Sequence, residues 1–144
     1  MMDTKPAATS KYTVELPLPP KECSRNTTCH WGSRGRAVKQ YRSDCALAYM
    51  AAKIPVMPAI FLSLAFYNGG RRVGVDDGLY RPKDEANAID SFKAAQDALA
   101  DAGVVLGDSR KYVRQGPVTI YGTQKEHGGK CGVVLTIEPL EVGK

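Results

Sequence analysis

Residues 59–72 read AIFLSLAFYNGGRR and form the clearest strand pattern in the chain. Every second residue in the first half is apolar, which places four side chains on one face of an extended segment: Ile60, Leu62, Leu64 and Phe66. The residues Asn68, Gly69 and Gly70 then predict a turn. We therefore expect a strand with one apolar face that ends at this turn.

The segment that follows predicts an amphipathic helix. Residues 81–109 read RPKDEANAIDSFKAAQDALADAGVVLGDS. At about 100° per residue, one side of this helix gathers apolar residues, namely Ile89, Phe92, Ala95, Leu99 and Ala102. The opposite side gathers charges, namely Asp90, Lys93, Asp97 and Asp101. Gly103 is a typical helix stop.

The remaining segments predict one more helix and three more strands. At the beginning, apolar residues alternate until two prolines end the strand: Tyr12, Val14, Leu16, Leu18, then Pro19 and Pro20. Residues 21–36, KECSRNTTCHWGSRGR, lack periodicity and predict a loop rich in hydrogen-bond donors. A helix from about residue 36 to residue 53 has an apolar stripe of Val38, Tyr41, Cys45, Ala48 and Ala52, with Lys39 and Arg42 outside it. Residues 113–121 and 132–138, separated by GTQKEHGGK, predict a hairpin that closes the sheet.

These elements predict an α+β fold in a single domain, with a mixed, mostly antiparallel sheet packed against two main helices. The domain is expected to span residues 12–144, because residues 1–11 are small and polar and predict a flexible N-terminal tail. A chain of 144 residues is ordinary for one domain and can bury an apolar core without disulfide bonds.

Composition argues against several classes of protein. No apolar run reaches the roughly 18 residues of a membrane helix, and MMDTKPAATS lacks the apolar stretch of a signal peptide. We therefore expect a soluble protein with reduced thiols, since no pair of cysteines has the CxxC spacing. The spacing of Cys23, Cys29 and His30 fits no common zinc finger. A net charge of +5 favours a polyanionic partner such as nucleic acid.

Two aspartates flank the helix at 81–109. Asp84 lies in a Pro-led loop before it and Asp108 in a turn after it, so a compact fold could bring both carboxylates to one point. Mg²⁺ prefers carboxylate oxygens and keeps waters for a substrate phosphate, so two aspartates and a lysine would suffice for phosphodiester chemistry. The same charges also fit a solvated helix in which Asn87 is the N-cap and Lys93 pairs with Asp97. The residue types alone leave both interpretations open.

Seven residues occur in a particular order: Asp84, Asn87, Lys93, Asp97, Leu99, Gly103 and Asp108. This order resembles the core motif of the RusA-like Holliday junction resolvases, especially their phage and prophage members. The segments ELPLPP and RNTTCHW are similar to the first strand and loop of those proteins, and KYVRQGPVTIYG is similar to their following strand. The resemblance covers most of residues 12–138, and the ordered set is more specific than any single piece.

The resemblance implies a crossover junction endodeoxyribonuclease that acts in DNA recombination and repair. Such a homodimer binds a four-way DNA junction and cuts two strands symmetrically, in the cytoplasm of a bacterial host or of a phage-infected cell. The resemblance implies Mg²⁺, or Mn²⁺ in its place, with Asp84 and Asp108 as metal ligands, Lys93 as the catalytic lysine and Asn87 as the motif asparagine. The cation would activate a water for attack on the phosphate, while Lys93 neutralises charge on the phosphoryl oxygens or the leaving group.

Ala86 departs from the family pattern. That pattern reads Asp, any residue, Asp, Asn, whereas this chain has Asp84, Glu85, Ala86 and Asn87. A methyl group cannot bind a cation, so cleavage should suffer more than DNA binding, which depends on charge balance at the phosphates. Three explanations stay open: an inactivated resolvase that still binds junctions, a replacement ligand such as Glu85 or Asp90, and a likeness of structure alone.

DNA contacts are expected from basic residues in loops or on the exposed side of a helix: Arg34, Arg36, Lys39, Arg71, Arg72, Lys83, Arg110 and Lys111. Trp31 and Tyr80 are candidates to hold an opened junction centre, whereas four other aromatic residues are expected in the core: Tyr41, Phe61, Phe66 and Phe92. Two other functions stay open. One is a noncatalytic dimer that binds branched DNA without a metal, and the other is a protein-interaction domain with no nucleic acid role.

Overall fold

The computed structural model of the chain describes residues 11–24, 31–69, 78–107, 111–121 and 131–140. In chain order its elements are β1 (Tyr12–Leu16), a short 3₁₀ helix (Lys21–Cys23), α1 (Trp31–Ala51), β2 (Ile60–Asn68), α2 (Glu85–Ser91), α3 (Lys93–Asp101), β3 (Val113–Tyr121) and β4 (Cys131–Pro139). The four strands form one sheet with the helices packed on it. The predicted α+β class is therefore confirmed.

The order of strands in the sheet is β1-β4-β2-β3. Strand β4 is antiparallel to both β1 and β2, whereas β3 is parallel to β2, so the sheet is mixed rather than mostly antiparallel. The predicted hairpin of β3 and β4 is wrong, because β2 lies between them. The reason is the connection from β2 to β3, which includes α2 and α3 and can therefore cross over to a parallel neighbour.

Burial explains why β4 is internal and β3 is an edge strand. Val133, Leu135 and Ile137 of β4 are completely buried. In β3 the pairing with β2 shifts between Leu62 and Leu64, where Pro117 cannot donate a backbone hydrogen bond. Proline is tolerated at such a sheet edge because no further strand needs its missing N–H.

The predicted alternation of β2 is confirmed. Ile60, Leu62, Leu64 and Phe66 are at most 3% exposed and face the helices, whereas the residues between them are half-buried on the other face of the sheet. Phe61 belongs to this second set, so its predicted core position is wrong. The other three aromatic residues expected in the core are buried as predicted: Tyr41, Phe66 and Phe92.

Helix α1 begins at Trp31, five residues before the predicted start, so the last part of the expected loop is helical. Gly32 and Gly35 are poor helix formers, which is why the sequence pattern does not predict this first turn. A long-range contact supports it: Arg34 Nη1 donates to the carbonyl oxygens of Glu22 and Ser24, at 2.7 and 2.9 Å. The 3₁₀ helix and the first turn of α1 are thereby joined.

The single helix predicted across residues 81–109 is two helices that meet at Phe92. This residue has φ −88° and ψ −1°, and its N–H donates to the carbonyls of Ala88 and Ile89. Its ring is 1% exposed and packs edge-on against Phe66, with the ring centroids 6.2 Å apart. Ile89 is only half-buried, whereas Ser91 is buried, because the break at Phe92 changes the face that α2 turns toward the sheet.

The end of α3 follows the predicted signal. Gly103 has φ 81°, and its N–H donates to Ala100 while the N–H of Val104 donates to Leu99. These two bonds form the usual glycine-dependent helix terminus. Across the described residues, no helix combines the length and the apolar character that crossing a membrane requires.

Candidate functional site

Asp84 is the N-cap of α2. Its Oδ1 accepts a hydrogen bond from the N–H of Asn87 at 2.8 Å, and its Oδ2 accepts one from the Asn87 side-chain amide at 2.9 Å. The prediction that Asn87 is the N-cap is therefore wrong, because the helix begins two residues earlier, at Glu85. Asp84 and Asn87, both members of the ordered motif, form one local unit in which Asp84 is exposed.

The loop before Asp84 is fixed to the carboxyl end of β2. The Asn68 side-chain amide donates to the carbonyl of Pro82 at 2.8 Å, and Arg81 donates to the carbonyls of Asn68 and Gly69 at 3.0 and 3.1 Å. The N–H of Tyr80 donates to the carbonyl of Pro19 at 2.8 Å, which ties the same loop to the segment after β1. Asp84 therefore lies at a rigidly supported end of the sheet.

The carboxylates near the start of α2 do not make up a complete metal site. Ala86 is exposed and offers only a methyl group, whereas the resolvase motif that the sequence resembles has a carboxylate at this position. Glu85 is exposed beside Asp84, and Asp90 lies farther along α2 on a cleft described below. In the part of the chain that the structure describes, no three His, Cys, Asp or Glu residues form a group that could hold a metal ion.

Asp108 lies outside the described residues, as do Arg71, Arg72 and Arg110. The described neighbours of Asp108 are at the other end of β2 from Asp84. Gly107 packs against the Tyr112 ring, and the Tyr112 carbonyl accepts a hydrogen bond from the N–H of Ile60, the first residue of β2. Nine strand residues at about 3.3 Å each place roughly 26 Å between the two ends of β2. A metal site shared by Asp84 and Asp108 therefore stays a prediction, because Asp108 lies outside the described residues.

Lys93, the predicted catalytic lysine, begins α3 with its side chain 58% exposed. Its Nζ lies 2.9 Å from Oδ1 of Asp97, which confirms the predicted pair one helical turn apart. Asp97 also faces Arg42 of α1, with 3.8 Å between Arg42 Nη1 and Asp97 Oδ2. Arg42 holds Asp101 by two further hydrogen bonds, of 2.6 and 2.9 Å. We call Arg42, Lys93, Asp97 and Asp101 the charge network.

The amphipathic pattern predicts an exposed face for the charges of α3 and gives no indication of their contact with α1. Arg42 was expected only to lie outside the apolar stripe, and a residue 59 positions away gives no pattern that would reveal its partner. The hydrogen bond from Arg42 lowers the pKa of the Asp101 carboxyl, so this ion pair persists into acidic solution.

A cleft with a volume of about 100 Å³ opens between the 3₁₀ helix, α1 and the two later helices. It is lined by Cys23, Val38, Arg42, Asp90, Ser91, Lys93, Ala94 and Asp97. Burial, followed by the nearby charge of Glu22, raises the pKa of the Cys23 thiol to about 11. Since the thiolate is the reactive form, this shift disfavours a nucleophilic role for Cys23 near neutral pH. Cys23, Cys45 and Cys131 are free thiols, as predicted.

The basic residues expected at DNA differ in their surroundings. Arg36, Lys39, Lys83 and Lys111 are exposed, and Lys111 Nζ lies 5.5 Å from the centre of the Tyr112 ring. Arg34 is half-buried and holds the 3₁₀ helix, as described above. Tyr80 is half-buried, and the side chain of Trp31 is outside the described part. A role in DNA binding stays a prediction for all of these residues.

No protein-family model matches the chain. The chain is similar to an uncharacterized protein of Xylella fastidiosa, with 30% identity over 129 residues. The aligned part covers 85% of this chain and 74% of that protein. The similarity therefore extends through most of both chains and is not confined to one motif.

Proposed function

The chain belongs to the same family as this Xylella fastidiosa protein, and we propose that it is a structure-selective protein of the Holliday junction resolvase type. It binds four-way DNA junctions as a homodimer. Its chemistry is Mg²⁺-dependent hydrolysis of phosphodiester bonds, with Mn²⁺ as a possible substitute, and Ala86 impairs that cleavage. Its setting is recombination and repair in the cytoplasm of a bacterial or phage-infected cell.

One observation carries this proposal: Asp84 and Lys93 of the motif are exposed, whereas Leu99 and Gly103 support the fold. Asp84 and Lys93 are exposed on consecutive helices, where they can meet a phosphate. Leu99 is completely buried, and Gly103 ends α3 in a left-handed conformation. Among the described motif residues, two polar side chains are thus exposed on a buried and supported unit.

The charge balance of the chain supports a nucleic acid partner. The net charge is +5, and four of the proposed contacts extend from exposed positions: Arg36, Lys39, Lys83 and Lys111. Each phosphate contact releases counterions, so junction affinity should fall steeply as salt is added. Replacement of a carboxylate by Ala86 also removes negative charge that would face the DNA backbone. Binding can therefore survive a loss of cleavage.

The proposed homodimer follows from the resemblance. A two-fold assembly presents two equal sites to a junction of matching symmetry, so two strands can be cut symmetrically. Light scattering coupled to size-exclusion chromatography tests this arrangement, and a monomeric mass with and without a four-way junction would contradict it.

The second candidate is a noncatalytic dimer that binds branched DNA. The donor set favours it, because Ala86 contributes no oxygen and both oxygens of Asp84 already accept hydrogen bonds from Asn87. This candidate needs no metal, so EDTA should leave its junction affinity nearly unchanged. The two candidates share the binding surface and differ only in the chemical step.

The deciding experiment offers a labelled four-way junction with Mg²⁺ to the chain and to its Ala86→Asp variant, with cleavage and gel shift recorded together. Ala86→Asn is the matched control, because it has nearly the same size but no carboxylate. We expect all three proteins to bind and only Ala86→Asp to cut readily. Binding without cleavage by Ala86→Asp would favour the noncatalytic candidate. Equal affinity for the junction and for linear duplex would contradict both.

A further inference from the structure

We propose that Asp97 is the internal counterion of Lys93, and that Asp97 passes to Arg42 when Lys93 binds a DNA phosphate. The inference rests on the proposed function, because it assumes that a phosphate reaches Lys93. It assigns a positioning role to Asp97 and Arg42, neither of which has to touch DNA. Lys93 would thus exchange one anion for another during binding.

The two members of the Lys93–Asp97 pair differ in exposure. The Asp97 side chain is 20% exposed, whereas the Lys93 side chain is 58% exposed. Asp97 is therefore held against α1 while the long Lys93 side chain extends into solvent, with 2.9 Å between Nζ and Oδ1. An ion pair at such an exposed position contributes only about 0.2–1 kcal/mol, so a phosphate can displace the carboxylate from Lys93.

Arg42 keeps Asp97 from being left without a cation. Its Nε and Nη2 bind Asp101, and its Nη1 lies 3.8 Å from Oδ2 of Asp97, which is not the oxygen that Lys93 contacts. A guanidinium has five N–H donors in a fixed plane, so Nη1 can bind Asp97 while the bonds to Asp101 persist. A small closing of this gap would compensate Asp97 for the loss of Lys93, which lowers the cost of the exchange.

The cleft brings these groups together with one further charge. Arg42, Lys93 and Asp97 all line it, and so does Asp90 of α2. A phosphate that approaches Lys93 therefore meets two cations and two carboxylates. The two carboxylates repel the phosphate unless a cation neutralises them. Arg42 is the cation that neutralises Asp97.

Removing the charge of Asp97 should consequently raise the affinity for DNA. In Asp97→Asn, Lys93 no longer has to leave the Asp97 carboxylate, so junction affinity should rise roughly 1.4- to 5-fold, the range of an exposed ion pair. The slope of log affinity against log salt should stay nearly unchanged, because Lys93 contacts a phosphate in both proteins. A variant that merely loosened the helices would weaken binding instead. Asp97→Glu keeps the charge and should behave like the wild type.

The test is a salt titration of junction binding by fluorescence anisotropy, in EDTA so that cleavage does not interfere. Asp44→Asn is the matched control: it changes the net charge equally, on an exposed position of α1 where Asp44 only accepts a hydrogen bond from Gln40. We expect tighter binding for Asp97→Asn than for Asp44→Asn, with a similar salt dependence in both. That gain should vanish when Lys93→Gln is added to Asp97→Asn.

Two results would overturn the inference. One is equal behaviour of Asp97→Asn and Asp44→Asn, and the other is a gain from Asp97→Asn that persists with Lys93→Gln. Failure of the proposed function is a separate outcome, since the exchange needs a phosphate but no junction. If the proposed function fails, the protein should bind junction and linear duplex with equal affinity, while Asp97→Asn still raises the affinity for DNA. Absence of binding to either DNA would overturn both.

Discussion

The start of α2 and the charge network both consist of charged and polar side chains, but different parts of the chain hold them in place. At α2, Asp84 contacts Asn87 three residues away. In the charge network, Arg42 contacts Asp101 across 59 positions. The first contact can form as soon as the helix begins, whereas the second requires α3 to be packed beside α1. A row of charges can therefore be a local cap or a tertiary contact, and spacing in the sequence identifies only the first.

The largest effect is expected at Phe92, which joins the two regions. Its buried ring lies between α2 and α3 and against Phe66, so Phe92→Ala should lower the free energy of unfolding by about 3–5 kcal/mol. Urea denaturation measures this loss. Phe61→Ala is the control, since Phe61 is half-buried on the other face of the sheet and should cost less. Similar losses for the two variants would show that the break at Phe92 is not a centre of packing.

The next effect concerns the local region. Asp84→Ala removes the cap of α2 and should lower the free energy of unfolding by about 0.5–2 kcal/mol. Asp84→Asn should retain most of the stability, because an amide oxygen can still accept the hydrogen bond from the N–H of Asn87. Thermal and urea denaturation of both variants give the comparison. If Asp84→Asn were as unstable as Asp84→Ala, the charge of Asp84 rather than its capping hydrogen bond would be the source of the stabilisation.

A smaller effect is expected in the long-range region. Arg42→Ala should lower the free energy of unfolding by less than about 1 kcal/mol, because its side chain is 44% exposed and solvent screens the pair. Arg42→Lys should recover only part of this, since an ammonium cannot form the same two-bond contact with Asp101. The measurement is a double-mutant cycle with Asp101→Asn. Strictly additive losses would contradict an interaction between Arg42 and Asp101.

The smallest effect depends on pH. The pKa of Asp101 is lower in the folded chain than its ordinary value of 3.8, because Arg42 donates to the carboxylate. The stabilisation is thus present above pH 3.8 and is lost as the pH falls through the folded-state pKa. The difference in unfolding free energy between the wild type and Asp101→Asn should shrink over that window. Because Asp101 is exposed, we expect the whole change to stay below about 1 kcal/mol, and a constant difference would refute it.

Much of the local structure could be predicted from the sequence. The alternation of β2, the stop at Gly103 and the Lys93–Asp97 pair all depend on residues at most a few positions apart. The beginning of α1 could not be predicted, because Arg34 supports it through carbonyls of a separate segment. The prediction of a β3–β4 hairpin was wrong for a related reason. Two strands that follow each other in the sequence need not be neighbours in the sheet, and here β2 separates them.

Some features of the candidate site could likewise be predicted from the sequence, and others depend on distant segments. The helical pattern placed Lys93 on the charged side of the helix, and the Lys93 side chain is exposed, as is Asp84 before α2. The position of Asp84 at the end of β2 depends on Asn68 and Arg81, which nothing in the motif indicates. The partners of Asp97 and Asp101 on α1 were likewise not foreseen, since a helical pattern shows which side is polar but not what that side meets.

The sequence by itself determined the class of fold, the apolar face of β2, the stop of α3 and the absence of a carboxylate at Ala86. Each of these follows from a single residue or from a spacing of two to four positions, which backbone geometry converts directly into a face or a turn. Tertiary structure decided the order of the strands, the break at Phe92 and the choice of Arg42 as the partner of α3. These depend on which distant segments pack together, because burial and charge pairing are settled only when the whole core has formed.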